Sequence, residues 1–321
     1  MPIVRRPEPH SVAPRGPLVV RLCNWVGEVV LSVPALRRLA AAGFALELVG
    51  KSWAPALLAG TGWPVVARRG GVVAAAGQLR ALKHALAARD GPPPVALLMT
   101  KSLSSALEAR LAGLRPSGYA HDGRSPLLAA AYPLPRFAHA AHAYWHLASC
   151  FLGTDAPYPS TVELEPSAPQ DAQARALLAA HGLAAGGYAL LCPFSGADDR
   201  ERRKVWPGFA ELGATLAAQG LRIVVCPGPG EEAAASATLP GAVQLAGVDL
   251  GIYAALLRHA RAVVANDTGP GHLAAAVGAH LVSVYGPQSV AAWAPLGPRV
   301  ELMHDPAGWP PVARVAAALL A

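Results

Sequence analysis

Cysteine is nearly absent from this chain. Cys23, Cys150, Cys192 and Cys226 are scattered through 321 residues without one Cys-x-x-Cys pair. That spacing argues against a disulfide framework or a structural zinc, and free cysteine in an apolar segment behaves as a small hydrophobe. Long hydrophobic runs are missing too. Stretches such as 95–99 and 188–192 are strand-length, far below the roughly 20 residues that cross a bilayer. No charged-then-apolar leader pattern opens the chain, and the Pro/Arg-rich residues 1–16 read as a disordered arm. The expectation is a soluble, cytoplasmic protein. Charged residues make up only 15%, with 20 acids against 27 lysines and arginines, for a formal charge of +7. A basic balance favours an anionic partner, such as a phosphate-bearing substrate or an acidic leaflet. The basic residues form no long run, and zinc-finger, helix-turn-helix and RNA-recognition signatures are lacking, so nucleic acid is not the expected partner.

Apolar residues, by contrast, are 53% of the chain, much of it alanine, which is ample for two cores. Their order is alternating. Strand-like runs at 17–23, 45–51, 64–67 and 95–100 are separated by helical stretches, including one at 78–88, and a helix is expected over 138–152. Continuous apolar strands between helices are what a parallel sheet covered on both faces requires. Residues 117–135 give no clear pattern. The segment 155–170 holds four prolines and few large apolar residues, as an interdomain connection would. Alternation then resumes, with strands at 188–194, 222–227, 243–246, 262–266 and 281–285. The helices between them fall at 207–219, 231–239, 250–259 and 269–277, and a last one at 311–320. The fold class is therefore α/β, with two consecutive doubly wound units expected at 17–160 and 171–321.

Three segments place polar groups where a parallel strand ends, the place where open α/β sheets bind ligands. Asn266-Asp267-Thr268-Gly269-Pro270-Gly271-His272 runs from a strand into a helix, whose free N–H groups and dipole favour an anion. Helix capping by Asp267 or Thr268 would account for the same residues. Residues 193–207 carry Ser195, then Arg200, Arg202, Arg203 and Lys204, a concentration of positive charge able to stabilise a departing diphosphate. A solvated basic loop has the same composition. Residues 21–28 end in Gly27-Glu28, a carboxylate in a first helical turn, fit either to accept a proton or simply to complement the dipole. That turn has one glycine where a dinucleotide-binding oxidoreductase needs Gly-x-Gly-x-x-Gly, which tells against that class.

Five segments occur in order along the chain: Asn24-Trp25-Val26-Gly27-Glu28, residues 99–106, Lys204-Val205-Trp206-Pro207, Asn266-Asp267-Thr268-Gly269-x-x-His272 and Val284-Tyr285-Gly286-Pro287. Together they resemble glycosyltransferase family 9, the ADP-heptose:lipopolysaccharide heptosyltransferases. The resemblance spans residues 17–298, and its N-terminal part is most similar to the heptosyltransferase II branch. It implies a GT-B fold, two facing Rossmann-like domains, with acceptor held by the first and nucleotide sugar by the second. It further implies inverting transfer of a heptose from ADP-heptose to a lipopolysaccharide inner-core acceptor, with no metal and no cofactor besides the donor. Glu28 then stands at the catalytic base, and Lys204 contacts the diphosphate. Ser195, Asp267, Thr268, Gly269 and His272 bind the donor, with Glu231 or Glu232 on the ribose. Asn24, Lys101, Ser102 and Ser104 face the acceptor. Such an acceptor is a phosphorylated or acidic glycolipid, reached by peripheral contact with the inner face of the cytoplasmic membrane. One departure stands out: the family pattern has Gly-Asp where this chain has Gly27-Glu28. Another nucleotide sugar or acceptor, or donor binding with impaired turnover, are the competing expectations.

Overall fold

The computed structural model describes residues 15–89, 91–194, 204–287 and 290–320. The arm expected at 1–16 lies largely, and Ser195, Arg200, Arg202 and Arg203 lie wholly, outside the described residues. The first half builds β1 (Gly16–Arg21), α1 (Val26–Ala41), β2 (Phe44–Gly50), α2 (Ala54–Leu58), β3 (Val65–Ala67), α3 (Val72–Ala87), β4 (Val95–Leu98), α4 (Leu103–Leu111), β5 (Pro116–Tyr119), β6 (Ala130–Tyr132) and α5 (Ala140–Leu152). The second builds α6 (Ala168–Ala180), β7 (Tyr188–Cys192), α7 (Phe209–Ala218), β8 (Arg222–Val225), α8 (Glu232–Thr238), β9 (Val243–Gln244), α9 (Leu250–His259), β10 (Ala262–Asn266), α10 (Gly269–Ala276), β11 (Leu281–Tyr285), β12 (Val300–His304) and α11 (Val312–Leu320).

Each half folds around a six-stranded sheet whose pairings are all parallel, ordered β3-β2-β1-β4-β5-β6 and β12-β11-β10-β7-β8-β9. The two orders are the same winding, each reversing direction beside its first strand. The switch points lie between β1 and β4 and between β7 and β10, and ligands bind outside the strand ends at such points. β7, β10 and β11 are buried at every residue, as strands covered on both faces must be.

Three apolar clusters hold the molecule together, and the largest is shared. It runs from Leu18, Val30, Leu36 and Tyr144 in the first half to Leu256, Val263 and Leu273 in the second. Between the sheets, α1 packs on α10 and α2 on α9. Gln170 Nε2 donates to the Ala56 carbonyl at 2.8 Å, and His139 bonds the Ala294 carbonyl at 2.8 Å. His139 Nδ1 accepts from the Ala141 amide, so the proton must sit on Nε2 and the ring acts as a neutral donor across the junction.

Several elements differ from the sequence expectation. Residues 117–135 contain β5 and β6, α3 begins at Val72, and the connection at 155–170 gives way to α6, which opens on a Ser167/Gln170 capping box. The last helix docks Val315, Ala316 and Leu319 against α7 and the β11 side of the second sheet.

Candidate active site

The loops after β1 and β4, adjacent strands at the first switch point, enclose a pocket of about 140 Å³. Cys23, Asn24, Trp25, Glu28, Met99, Thr100, Lys101 and Ser102 line it. Residues 75 positions apart in sequence therefore share one cavity. Glu28 sits in the first turn of α1, half-buried. Tyr144, buried on α5, donates its hydroxyl to Glu28 Oε1 at 3.2 Å. Burial raises the Glu28 carboxyl above its ordinary range, while the Tyr144 hydroxyl, Lys101 and the amides of Trp25 and Asn24 oppose the rise. A carboxylate with a raised pKa is a better base than a free one.

Buried cations shape the rest of this pocket. Arg124 is fully buried and donates from Nη1 to the Thr100 carbonyl at 2.6 Å and from Nε to the Tyr119 carbonyl at 2.9 Å. It holds the loop that presents Lys101 and Ser102, and burial lowers its pKa to about 10. Gly118 makes room for it, since a Cβ there would lie 2.9 Å from Arg124 Nη2. Asn24 Oδ1 accepts from Arg21 Nη2 at 3.0 Å, and Arg21 is in turn set against Glu108. Ser102 N-caps α4 through the Ser105 amide. Ser104 is exposed, donates to Ser102 Oγ at 3.1 Å and lies outside the pocket lining.

At the second switch point, Asn266 ends β10 with its side chain fully buried. It accepts from the Trp206 amide at 2.9 Å and donates to the Pro193 carbonyl at 3.0 Å, pinning both flanks of the 195–203 segment. That pin sets Lys204, whose Nζ lies 3.5 Å from Asp267 Oδ2. Thr268 occupies the N-cap position of α10 but makes no side-chain cap bond; its hydroxyl donates to the Asn266 carbonyl at 3.4 Å. Capping is thus not what the Thr268 side chain does. Glu231 accepts from the Gly228 amide at 2.9 Å, whereas Glu232 is exposed in the first turn of α8. His272 is buried with Nδ1 lacking a partner, and burial, with His139 and Lys204 nearby, lowers its pKa to about 4. Among the described residues, no three His, Cys, Asp or Glu side chains gather as metal ligands.

The two turns meet. A Cβ on Gly27 would lie 2.6 Å from His272 Cδ2, and one on Gly269 would lie 3.2 Å from Val26 Cβ. One glycine from each half lets the N-terminus of α1 approach that of α10.

The sequence profile of glycosyltransferase family 9 (heptosyltransferase) matches residues 80–311. The chain belongs to glycosyltransferase family 9. No curated protein sequence matches it. Among solved structures, it is similar to ADP-heptose LPS heptosyltransferase II from E. coli, at 22% identity over 94% of this chain and 98% of that one, with a TM-score of 0.74. It is also similar to a family 9 glycosyltransferase from Veillonella parvula, at 19% identity over 93% and 88%, TM-score 0.78. A third likeness is to E. coli heptosyltransferase WaaC with ADP, at 22% identity over 90% and 93%, TM-score 0.68. The fold is GT-B, and this family 9 protein is a heptosyltransferase-like glycosyltransferase. Among its described residues no helix is long and apolar enough to cross a membrane.

Sequence reasoning had not singled out Tyr144 or Arg124. Tyr144 reaches Glu28 across 116 residues, and Arg124 lies in the stretch where no pattern was legible. The sequence shows Asn266 as the start of a turn, and its role as the pin appears only in the fold. No signal in one sequence marks any of the three.

Proposed function

We propose that this family 9 protein moves a heptose from ADP-heptose to a phosphorylated or acidic glycolipid of the lipopolysaccharide inner core, inverting the anomeric centre and requiring no metal. The observation that carries this reading is the packing of the α1 turn, with Glu28, against the α10 turn, with Thr268 and Gly269. A base and an anion cradle then flank one junction, each at a sheet switch point.

The donor diphosphate lies between Lys204 and the N-terminal amides of α10, with Asp267 and His272 bounding the cradle and Ser195 adding a hydroxyl. Glu231, steadied by the Gly228 amide, takes the ribose in preference to the exposed Glu232. The acceptor enters the pocket beside Asn24, Lys101 and Ser102, with Ser104 at its edge. Its hydroxyl attacks the anomeric carbon as Glu28 takes the proton, and the bond to the diphosphate oxygen breaks on the opposite face. Lys204 and the helix dipole receive the negative charge of the leaving ADP, which supports metal-independent transfer. The enzyme works at the inner face of the cytoplasmic membrane, where a lipid-linked acceptor is found.

Thermal stabilisation by ADP-, GDP-, UDP- and dTDP-sugars, without added metal and with a chelator, tests the donor. A selective shift with ADP-heptose is expected; a shift with another nucleotide alone would move the substrate, and none at saturation would remove the cradle. Glu28→Gln should keep the donor shift and lose turnover. Full activity in that variant would take Glu28 out of the reaction.

A further inference from the structure

The outer face of α4 is unpartnered. Leu103, Leu107 and Leu111 recur every fourth residue, which places them on one helix face, and they are 44%, 38% and 45% exposed. Arg110 is exposed in the same stripe. The single acid of α3 and α4 together is Glu108, and it is buried in its pair with Arg68. Two cations of α3 are tied to the end of the stripe: Arg80 donates to the Leu111 carbonyl at 2.6 Å and Lys83 to the Gly113 carbonyl at 2.7 Å. The bias extends beyond these helices. Residues 65–125 hold nine lysines and arginines against three acids, which is six of the chain's seven units of net positive charge.

We propose that this α4 face, leucines inward and the Arg80, Lys83 and Arg110 cations around them, docks on an anionic lipid bilayer. Apolar side chains on a basic helix face are the pattern of an interfacial helix, burying into the boundary while cations meet lipid phosphates. Charge complementarity selects this occupant. A second copy would set like charges against each other across the contact; the exposed acid at the rim, Asp122, accepts from the Leu103 amide at 2.7 Å and offsets one cation only. Position gives the contact a use. Ser102, the N-cap of α4, lines the pocket that holds Glu28, so docking by this helix brings that pocket to the bilayer surface. The inference rests on the proposed function for the membrane location and the lipid-linked acceptor, and adds the face that makes the contact.

The test is co-flotation of the full chain with vesicles of phosphatidylcholine alone or mixed in equal parts with phosphatidylglycerol. Binding is expected only to the mixed vesicles, weakening as salt rises. Arg110→Glu should lower it by about fivefold or more, from the contribution of one cation near an anionic surface. Leu107→Ser with Leu111→Ser should lower it further. Each variant must keep the wild-type melting transition and donor stabilisation; Arg110→Glu, confined to an exposed side chain, covers the case where the leucine pair disturbs folding. Equal binding to neutral vesicles, no binding to either, or unchanged binding in the variants would overturn the proposal. So would a loss of self-association, by light scattering, in place of a loss of vesicle binding. Donor stabilisation is read on the same samples: vesicle binding without it sinks the proposed function and leaves the face, and the reverse result sinks the face alone.

Discussion

Replacing Tyr144 with phenylalanine removes one hydroxyl from behind Glu28 and leaves the ring in the core. Burial raises the Glu28 carboxyl, and the Tyr144 hydroxyl is the foremost influence holding it down. At 3.2 Å the bond is long for an O–H donor. Its worth therefore lies near the lower end of the roughly 1.5–3 kcal/mol assigned to hydrogen bonds with charged groups. At about 1.4 kcal/mol per decade, its loss moves the Glu28 protonation equilibrium about tenfold toward the neutral acid. In the proposed reaction Glu28 is the base and must be ionised to accept a proton, so activity should rise with pH through its titration. In Tyr144→Phe the acidic limb of kcat against pH should move to higher pH, with the alkaline plateau near wild type. The donor KM should hold, since the Tyr144 hydroxyl bonds Glu28 and not the residues assigned to the donor. The assay is ADP release at saturating acceptor, stepped from about pH 5 to pH 9. A uniform fall in kcat with an unmoved limb would make Tyr144 structural only. No change at any pH would refute the reasoning that joins Tyr144, Glu28 and catalysis.

Other perturbations separate the parts of the site. Lys204→Ala should weaken ADP-sugar binding by about tenfold or more, the loss of one charged hydrogen bond, measured by titration calorimetry. Gly27→Ala drives a methyl into the buried His272 ring and should cost about 1–3 kcal/mol of stability, read by denaturant unfolding. His272 has a pKa near 4 when folded against 6.5 unfolded. As pH falls from 6.5 toward 4, the unfolded chain gains a proton that the folded one refuses, so stability falls by up to about 3 kcal/mol across that window. Melting temperatures of His272→Gln should depend less on pH there than those of wild type, and parallel curves would refute the assignment.

What could be seen in the sequence was whatever one local pattern encodes. β7, β10 and β11 are runs of five buried residues, and their apolar continuity marks them without any partner in view. β5, Pro-Ser-Gly-Tyr, is invisible by that test: Gly118 is there to admit Arg124, and the residues serve a side chain from the next loop. α6 was lost differently, its Ser167/Gln170 capping box absorbed into a proline-rich connection. The site follows the same division. Glu28, Lys101 and Asp267 each stand just past an apolar strand, so the strand points to them. The bond from Tyr144 exists only because α5 packs on α1, and neither segment carries a mark of the other.

That packing bears on why a glutamate would suit the proposed base position. The N-termini of α1 and α10, each a locus of about half a positive charge, are brought together by Gly27 and Gly269. Two like poles in contact repel, and Lys204 adds to the excess, while Asp267 beside it offsets only part. An anion at the junction relieves the strain. Glu28, in the first turn of α1, supplies one such charge from the protein, and in the proposed reaction the donor diphosphate supplies the other. An aspartate at position 28 would draw its carboxylate back by about 1.5 Å, one carbon–carbon bond. It would then fall out of hydrogen-bond reach of the Tyr144 hydroxyl, now at 3.2 Å. The longer side chain and the tyrosine thus fit as a pair, and Glu28→Asp should lose activity in the wild type but little more in Tyr144→Phe. Independent, additive losses in that double-mutant cycle would leave the glutamate without this explanation.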